Sequence, residues 1–400
     1  MDMMERFLKY VAVGTNSNPK SQTIPSTPEQ KVLGAIIVED MKAMGIQDAF
    51  MDEYGYVYGT VPGNCDAPTV GFIAHMDTVI DMPCENIKPR YVEYKGGDVV
   101  LNEEKGIVLT PLEKHVGHTL IVTDGTTLLG GDDKAGIVEI LDMAQYFLDH
   151  PEVKHGTIKL GFTPDEEIGR GTLKFDVPGF GAVMAYTVDG GDPGAVSYEN
   201  FNACAAKVEF NGTNTHPGGA KNKMLNSLWL GMEFHSMLPV NEAPQFTEGY
   251  EGFSHLNGMS GNVEHTLMEY IIRDHDKTLF EQKKARFEKI AAYMNEKYGE
   301  GTVVLTLKDS YYNMKEPVME HPELIDIAYE AVTESGFKPY SQAARGGTDG
   351  AQLSYKGLPC PNLGTGGHNA HSRYEYVSVQ EMHACRDILI AIAKKFAEKK

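Results

Sequence analysis

The 400-residue sequence predicts an α/β protein whose main sheet is mixed, largely parallel and flanked by helices, with a smaller α/β domain inserted into it. Three observations support this fold class. Short apolar segments alternate with amphipathic ones early in the chain, the pattern changes near residue 203, and helical patterns resume after residue 313. We therefore assign residues 1–202 and 314–400 to a main domain and residues 203–313 to the insertion.

The elements of the main domain follow from local signals. Thr27, Pro28 and Gln30 have the spacing of a capping box with proline at the first helical position, and we expect that helix to end near Gly45. Residues 69–74, 157–162 and 182–188 are short, apolar and rich in β-branched side chains, which predicts buried strands. Residues 137–148 carry apolar side chains at helical spacing, which predicts a helix packed on the sheet.

The insertion begins with a strand and a helix. A Gly-rich polar stretch (245–262) follows, then a strand, a long charged helix (276–298) and a last strand, a pattern that predicts a two-layer unit with helices on one side of its sheet. Residues 322–336 and 378–399 then read as helices, the second capped by Ser378 with Glu381 three residues later.

Composition and charge exclude several classes of partner. Acidic residues outnumber basic ones 56 to 36, and the formal charge of −20 repels phosphate backbones and anionic lipid, so we expect no nucleic acid and no membrane partner. The N-terminus lacks the pattern of a signal peptide. The five cysteines are scattered without CxxC pairs, which favours a reducing, cytoplasmic location.

Chemically active side chains follow the predicted strands. His75 and Asp77 come directly after one strand and project to the same face, so that one can bind a metal while the other orients the imidazole. An exposed loop explains this pair equally well. The segment LLGGDDKAG places Asp132 and Asp133 after two glycines and before a helix, where an acidic N-cap is the alternative explanation.

A third segment, TPDEEIGR, holds three adjacent carboxylates after another strand. On extended backbone Glu166 and Glu167 point in opposite directions, so one can ligate a cation while the other faces a water; a solvated turn is the alternative. Asp189 ends a further strand, and His371 lies in a Gly-rich segment. Five residues thus supply a nitrogen and oxygen donor set suited to zinc, cobalt or manganese, and to two metals if one carboxylate bridges: His75, Asp132, Glu167, Asp189 and His371.

The strings AHMDTV, LLGGDDKAG, TPDEEIGRG, VDGG, THPGGAKNKMLN, RGGTDGA and GTGGHNAHSRYEY, in this order, resemble the M20 metallopeptidase family of peptidase T along essentially the whole chain. The resemblance implies a zinc exopeptidase-like fold in which the insertion acts as a lid and dimerisation domain. It implies two zinc ions, one held by His75 and Asp189 and the other by Glu167 and His371, with Asp132 as the bridge. It further implies that Asp77 orients His75 and that Glu166 is the general base for the bridging water.

The same resemblance implies substrate-binding roles outside the metal ligands. His216 would reach the oxyanion, in related dimers from the partner subunit, and Arg345 and Arg273 would bind a peptide's C-terminal carboxylate. For Arg273, an ion pair with Asp274 or Asp276 is an equal alternative. Asn369 would help to bind substrate, or is only a turn residue.

Several histidines remain outside these roles. We expect His371 rather than His368 to be the ligand, because His371 occupies the family's ligand position. The other histidines, among them His115 and His118, are expected to be surface or packing residues.

The expected function is a cytoplasmic aminopeptidase that acts on tripeptides, with a homodimer as a possible assembly. Its rivals are an amidohydrolase or carboxypeptidase of the same superfamily, a peptide binder without catalysis, and a metal-storage or metal-sensing protein.

Overall fold

A computed structural model describes residues 1–398, so the last predicted helical residue, Lys399, lies outside the described part of the chain. The chain divides into two compact units. Unit 1 comprises Met1–Tyr198, Met314–Gln342 and the residues from Thr348 onward, and unit 2 comprises Glu199–Asn313 and Ala343–Gly347. Unit 2 therefore begins before residue 203 and includes a later segment, because Asn200 pairs with Ala344 in a parallel bridge.

The described residues of unit 1 contain helices and strands of very different length. Its helices are α1 (Met3–Val11), α2 (Glu29–Met44), α3 (Gly131–Asp149) and α4 (Val177–Phe180). Its strands before the second unit are β1 (Phe50–Met51), β2 (Val57–Val61), β3 (Val70–His75), β4 (Arg90–Glu93), β5 (Val99–Asn102), β6 (Ile107–Leu109), β7 (Thr119–Val122), β8 (Ile158–Thr163), β9 (Met184–Val188) and β10 (Val196–Ser197).

Unit 2 follows, and the chain then returns to unit 1. The elements of unit 2 are β11 (Asn202–Asn211), α5 (Ser227–Ser236), β12 (Phe253–Gly261), β13 (His265–Asp274), α6 (Lys277–Tyr298) and β14 (Val303–Tyr311). The returning elements of unit 1 are α7 (Lys315–Met319), α8 (Glu323–Glu334), α9 (Asp349–Tyr355), β15 (Asn362–Leu363), β16 (Gly367–His368), β17 (Tyr376–Ser378) and α10 (Val379–Glu398).

The main sheet of unit 1 has the strand order β1-β2-β8-β3-β9-β15-β10. Its central pairs, β8 with β3, β3 with β9 and β9 with β15, are parallel, whereas the pairs nearer the edges are antiparallel. Strand β3 is buried at every position, as expected of a central strand covered on both faces. The parallel centre brings the carboxyl ends of β3, β8 and β9 to the same edge.

Helices α3, α8 and α10 pack together in unit 1, and their apolar side chains belong to the largest hydrophobic core. The predicted cap of α10 is confirmed, since the backbone N–H of Glu381 donates to the Ser378 hydroxyl (3.3 Å). A smaller antiparallel sheet, β16-β17-β7-β4, has its own apolar cluster.

The start of α2 differs from its prediction. Pro28 occupies the N-cap position, and no side chain caps the helix, so the capping box at Thr27 and Gln30 is wrong. The Gln30 side chain is instead buried against Asp165, to which its Nε2 donates (2.8 Å). The predicted end is correct, because Gly45 adopts a left-handed conformation with φ 108°.

Unit 2 is a four-stranded antiparallel sheet, in the order β12-β13-β11-β14, on which α5 and α6 pack. The N-cap of α6 is Asp276, whose side chain accepts from the third helical N–H. The Gly-rich polar stretch 245–262 contains strand β12, which pairs along most of its length with β13. Backbone pairing with a neighbouring strand thus overrides the weak strand propensity of a Gly-rich segment.

In the described part of the chain, no helix combines the length and the apolar character needed to span a membrane.

Candidate metal centre

The parallel strands of the main sheet bring four of the predicted site residues to one edge. Strand β3 ends at His75, which pairs in register with Thr163 at the end of β8, and β9 ends immediately before Asp189. A single turn of 3-10 helix after β8 carries Glu166 and Glu167. Because carboxyl ends of adjacent parallel strands meet, residues far apart in sequence become neighbours here.

Asp132 lies between two imidazoles. One of its carboxylate oxygens, Oδ1, is 2.9 Å from His75 Nε2, and the other, Oδ2, is 3.2 Å from His371 Nε2. The backbone at the start of α3 is not helical at Asp132 (φ −83°, ψ 101°), which turns this side chain away from the helix axis. The alternative of an acidic N-cap applies to Asp133, which accepts from the first-turn N–H of Gly136 (3.3 Å).

Each imidazole has a second carboxylate beside it. His75 Nε2 is 3.6 Å from Asp189 Oδ1, and His371 Nε2 is 3.1 Å from Glu167 Oε2. The His75 side chain is buried, whereas that of His371 is half exposed. The structure therefore brings all five predicted ligands together, with Asp132 as the residue shared by the two histidines.

Asp77 connects the ends of β3 and β8. Its two carboxylate oxygens accept the backbone N–H groups of Glu166 (2.9 Å) and Glu167 (3.1 Å). The Nδ1 atom of His75 is 2.9 Å from the backbone carbonyl of Asp77 and 3.5 Å from its carboxylate. The closer ring contact is thus the backbone carbonyl, and the carboxylate mainly holds the turn that follows β8.

That turn corrects one sequence-based expectation. Glu166 and Glu167 do not lie on extended backbone, because Asp165 has a left-handed conformation (φ 60°) that starts the 3-10 turn. The Asp165 carboxylate accepts hydrogen bonds from the backbone N–H and hydroxyl of Ser26 and from Gln30 Nε2, and its own N–H donates to Gln30 Oε1 (3.0 Å). One of the three adjacent carboxylates is therefore structural.

Glu166, Glu167 and Asp189 hold protons more tightly than usual, whereas Asp132 does not. Burial, followed by the negative charge of Asp189, raises the pKa of Glu166 well above its ordinary value. Burial also raises the pKa of Glu167 to about 7 and that of Asp189 to about 6. Hydrogen bonds from His371 and His75 outweigh burial at Asp132 and lower its pKa. The site thus has a surplus of negative charge, which favours bound cations.

The donors present fit divalent metal ions. Donor atoms of His75, Asp132 and Glu167 lie within 4.8 Å of one another, as do those of His75, Asp133 and Asp189. Glu167 Oε1 is buried and has no hydrogen-bond partner among the described residues. An unpartnered buried acceptor is costly, and a cation at this position would satisfy it. Nitrogen and carboxylate ligands of this kind suit zinc, cobalt or manganese.

Sequence reasoning missed two carboxylates that support the site. Glu375 is buried, and its side chain accepts the backbone N–H groups of Leu129, Gly130 and Asp132, at 2.9, 2.9 and 3.0 Å. Asp349 is also buried and accepts from the Thr163 hydroxyl (2.7 Å) at the end of β8. Both residues lie within the strings GTGGHNAHSRYEY and RGGTDGA, so the motifs contained the signal.

The two histidines of the Gly-rich segment GTGGHNAHSRYEY have different partners. His371 contacts Asp132 and Glu167, whereas His368 Nε2 is 2.7 Å from Glu381 Oε2. Asn369 has φ 56° and donates to the backbone carbonyl of Tyr374 (3.1 Å), a contact typical of a turn residue. Its predicted contact with substrate stays a prediction.

The three remaining predicted residues belong to unit 2. His216 is exposed and accepts from the N–H of Gly218 (3.2 Å). Arg273 donates to the backbone carbonyls of Cys204 and Ile272 and lies over the Tyr311 ring. The alternative prediction, an ion pair of Arg273 with Asp274 or Asp276, does not describe the contacts of Arg273 given above.

In that region Asp274 pairs with Lys283 (2.9 Å), and Asp276 caps α6. Arg345 donates to the backbone carbonyls of Gly249 (2.7 Å) and Glu251 (3.0 Å) and lies over the Phe201 ring.

Comparison with known proteins gives a consistent result. Residues 118–395 match the model of the family described as peptidase family M20/M25/M40. The chain is 53% identical over 406 residues to the peptidase T of Geobacillus sp. (strain WCH70), with 100% of this chain and 99% of the relative covered.

Two solved structures resemble the whole chain. The aminopeptidase PepT of Bacillus cereus ATCC 10987 has a TM-score of 0.78 at 20% identity, and a tripeptidase of Staphylococcus aureus subsp. aureus Mu50 has a TM-score of 0.79 at 21% identity. Each comparison covers 99% of this chain and 98% of the other. These likenesses confirm the predicted α/β fold class.

Proposed function

Because this chain belongs to peptidase family M20/M25/M40, we propose that it is a metal-dependent aminopeptidase that releases the N-terminal residue of tripeptides. The names of its relatives support this substrate class, since one is a peptidase T and another a tripeptidase. The observation that carries the proposal is the position of Asp132, whose two carboxylate oxygens face two different imidazoles.

The proposal assigns two zinc ions to the site. His75 and Asp189 would hold one ion, Glu167 and His371 the other, and Asp132 would bridge them. This division is supported by the distances, since each histidine lies beside its own second carboxylate. When bound, the ions would polarise the scissile carbonyl and lower the pKa of the attacking water.

Glu166 is the proposed general base. It would take a proton from the attacking water and later pass it to the leaving amine. Its backbone is held by the Asp77 carboxylate, and Glu167 is held in the same way. We therefore propose that Asp77 is a positioning residue that fixes base and ligand together, in addition to its backbone contact with His75.

Unit 2 would supply groups that bind the substrate. We propose that Arg345 and Arg273 bind the C-terminal carboxylate of the peptide, that His216 stabilises the oxyanion, and that Asn369 of unit 1 contacts the peptide. The Arg345 guanidinium already donates to the carbonyls of the 247–251 segment, so a carboxylate would compete with these acceptors or use Nε. Exchange of Arg345 for lysine tests this, with a raised KM for free tripeptides but not for amidated ones.

We also propose a cytoplasmic location, which fits five cysteines that are all free. A homodimer and a lid role for residues 203–313 complete the proposal. Solution scattering with and without a tripeptide analogue would report on the lid, and sedimentation would report on the dimer.

The activity is tested with zinc- or cobalt-loaded protein and three peptides: Met-Gly-Gly, its N-acetylated form and Met-Gly-Gly-Gly. We expect free methionine from the unblocked tripeptide alone, because an aminopeptidase needs the free amino group. Cleavage of the acetylated peptide would instead indicate an amidohydrolase, and loss of C-terminal glycine a carboxypeptidase. Bound metal without any cleavage would indicate a peptide binder.

A further inference from the structure

A second cluster of histidine and charged side chains lies in unit 1, apart from the ligands described above. We call it the Glu381 cluster: Lys114, His115, His368 and Glu381. Its members come from three parts of the chain, namely the turn before β7, strand β16 and the first turn of α10. His115, expected to be a surface or packing residue, is a buried packing residue that also lies against Glu381.

The donor atoms of this cluster converge. His115 Nε2 is 3.0 Å from Glu381 Oε1, and His368 Nε2 is 2.7 Å from Glu381 Oε2. The ligand atoms of the two histidines and Glu381 all lie within 4.8 Å of one another. In a tetrahedral zinc site with bonds near 2.0 Å, neighbouring donor atoms are about 3.3 Å apart. The two contacts with Glu381, at 3.0 and 2.7 Å, are shorter than this, so these donor atoms would have to move apart to admit a metal.

His115 supplies an independent sign of a ligand. Its side chain is 0% exposed, and Nε2 has no hydrogen-bond partner among residues 1–398 although Glu381 lies close by. The other ring nitrogen, Nδ1, is 3.1 Å from the Tyr376 hydroxyl. A hydrogen bond to the other ring nitrogen orients a ligating imidazole and fixes which nitrogen faces the metal. The unpartnered nitrogen therefore points toward the position that a cation would fill.

We propose that His115, His368 and Glu381 form a separate site for a zinc-like divalent transition metal. Two imidazoles and one carboxylate form a ligand set that zinc uses in proteins, with a fourth position open to water or another group. The proposal does not depend on the peptidase activity, because none of its ligands belongs to the candidate metal centre.

Lys114 is the internal competitor for this site. Its ammonium is 2.8 Å from Glu381 Oε1 and also pairs with Asp192. Unlike the buried histidine and glutamate, Lys114 has a side chain that is 40% exposed, so it can move into solvent when a metal binds. Asp192 would then be free to approach the open position. Without the metal, Lys114 supplies the positive charge that the buried Glu381 needs.

Binding would also connect the two metal sites through the backbone. His368 lies in β16, three residues before His371, and Asp192 lies three residues after Asp189. A metal held by the Glu381 cluster would tie the His371 segment to α10 and to the turn before β7. The site is thus placed to stabilise one of the segments that carries a candidate ligand.

The first test is cobalt stoichiometry after equilibrium dialysis of the full chain, measured by mass spectrometry of the metal and by visible absorption. We expect wild-type protein to bind one more cobalt ion per chain than Glu381→Gln, with an extra absorption band from a site of low symmetry. The matched control is His118→Gln, which removes a neighbouring histidine whose Nδ1 contacts Ser378. It should keep the extra ion, and equal stoichiometry of wild type and Glu381→Gln would overturn the proposal.

Two further variants keep the test decisive if Glu381→Gln folds poorly. Lys114→Met removes the competing ammonium and should raise cobalt affinity at the extra site by about tenfold or more, a change worth about 1.4 kcal/mol. Tyr376→Phe removes the partner of His115 Nδ1 and should lower the cobalt affinity of the extra site by about 10–100-fold. If Lys114→Met binds no more cobalt ions per chain than Glu381→Gln does, the Glu381 cluster is a group of ion pairs and not a metal site.

Discussion

Two clusters of carboxylates and histidines in unit 1 differ in the balance of charge. The strand-end cluster contains His75, Asp132, Glu166, Glu167, Asp189 and His371. In it, four carboxylates surround two imidazoles, whereas in the Glu381 cluster one carboxylate faces two imidazoles and an ammonium. Both have buried members, so burial alone does not distinguish them.

The pKa values follow the charge balance. In the strand-end cluster burial and neighbouring carboxylates raise the pKa of Glu166. In the Glu381 cluster, burial would raise the pKa of Glu381, but the close contacts with His115, His368 and Lys114 outweigh it and lower that pKa. The first cluster therefore needs cations from outside, and the second already contains one that a metal must displace.

The largest effect is expected for a substitution of Glu166 in the strand-end cluster. Exchange of Glu166 for glutamine should lower kcat about 10²–10⁴-fold, the usual contribution of a general base, and leave metal content unchanged. Steady-state kinetics with metal analysis of the same samples measures both. Glu103→Gln, at an exposed position outside the site, serves as control. Loss of metal together with activity would show that Glu166 is a ligand and not the base.

A smaller effect is expected at Glu375, which holds the segment carrying Asp132 through three backbone N–H groups. Glu375→Gln should weaken metal binding about 10–100-fold, as loss of a group that positions a metal ligand does, and excess metal should restore activity. Titration with zinc under metal-buffered conditions measures this. The neighbouring exposed residue gives the control, Tyr374→Phe. Unchanged metal affinity in Glu375→Gln would mean that the hydrogen bonds from the 129–132 backbone to Glu375 do not position Asp132.

Much of the metal centre could be predicted from sequence because its residues follow recognisable strands and lie in recognisable strings. Asp132, Glu167 and Asp189 each come next to glycines or at a strand end, and their convergence follows from parallel pairing. The Glu381 cluster had no such signal. His115 and Glu381 lie far apart in sequence, and only the packing of the small sheet against α10 brings them together.

The same limit explains the error at Gln30. A glutamine three residues after a threonine satisfies the local capping pattern, and sequence alone does not reveal a buried carboxylate 135 residues away. Here the Gln30 side chain donates to Asp165 and to the Thr27 hydroxyl (3.0 Å), and it does not cap the helix backbone. Fold class follows from periodicity, whereas the partner of a single polar side chain depends on the assembled structure.

Asp165, next to the strand-end cluster, is satisfied by uncharged donors, and Gln30 is one of them. Gln30→Met removes a donor to the carboxylate and the acceptor of the Asp165 N–H. The free energy of unfolding should fall by about 1–3 kcal/mol, the cost of leaving a buried polar group unpaired. Urea denaturation of the metal-free protein measures this, with Gln47→Met at an exposed site as control. A change below that of the control would show that water replaces the contact.

The smallest effect is expected for a substitution of Glu139, a buried carboxyl group that belongs to neither cluster. It is 0% exposed on α3, and neither side-chain oxygen has a hydrogen-bond partner in the described chain. Burial raises the pKa of Glu139 well above its ordinary value of 4.5, with only partial opposition from the positive charge of Arg386. Cys385, also on α10, lies nearby. The native state therefore holds a proton that the unfolded chain releases near pH 4.5. As the pH rises above that value, ionisation favours the unfolded chain, and stability falls until the pH reaches the native pKa.

Glu139→Gln cannot ionise, so its advantage over wild type should be absent below pH 4.5 and grow as the pH rises toward 8. We expect a gain of about 0.5–2 kcal/mol at pH 8, within the usual range of stabilising substitutions, because the buried amide is itself unpaired. Urea denaturation of both proteins at pH 4.5, 6 and 8 measures the difference. A pH-independent difference would mean that Glu139 is ionised in the native state. The negative charge would then be stabilised by Arg386, and Glu139 would resemble Glu381 in having a cation supplied by the chain.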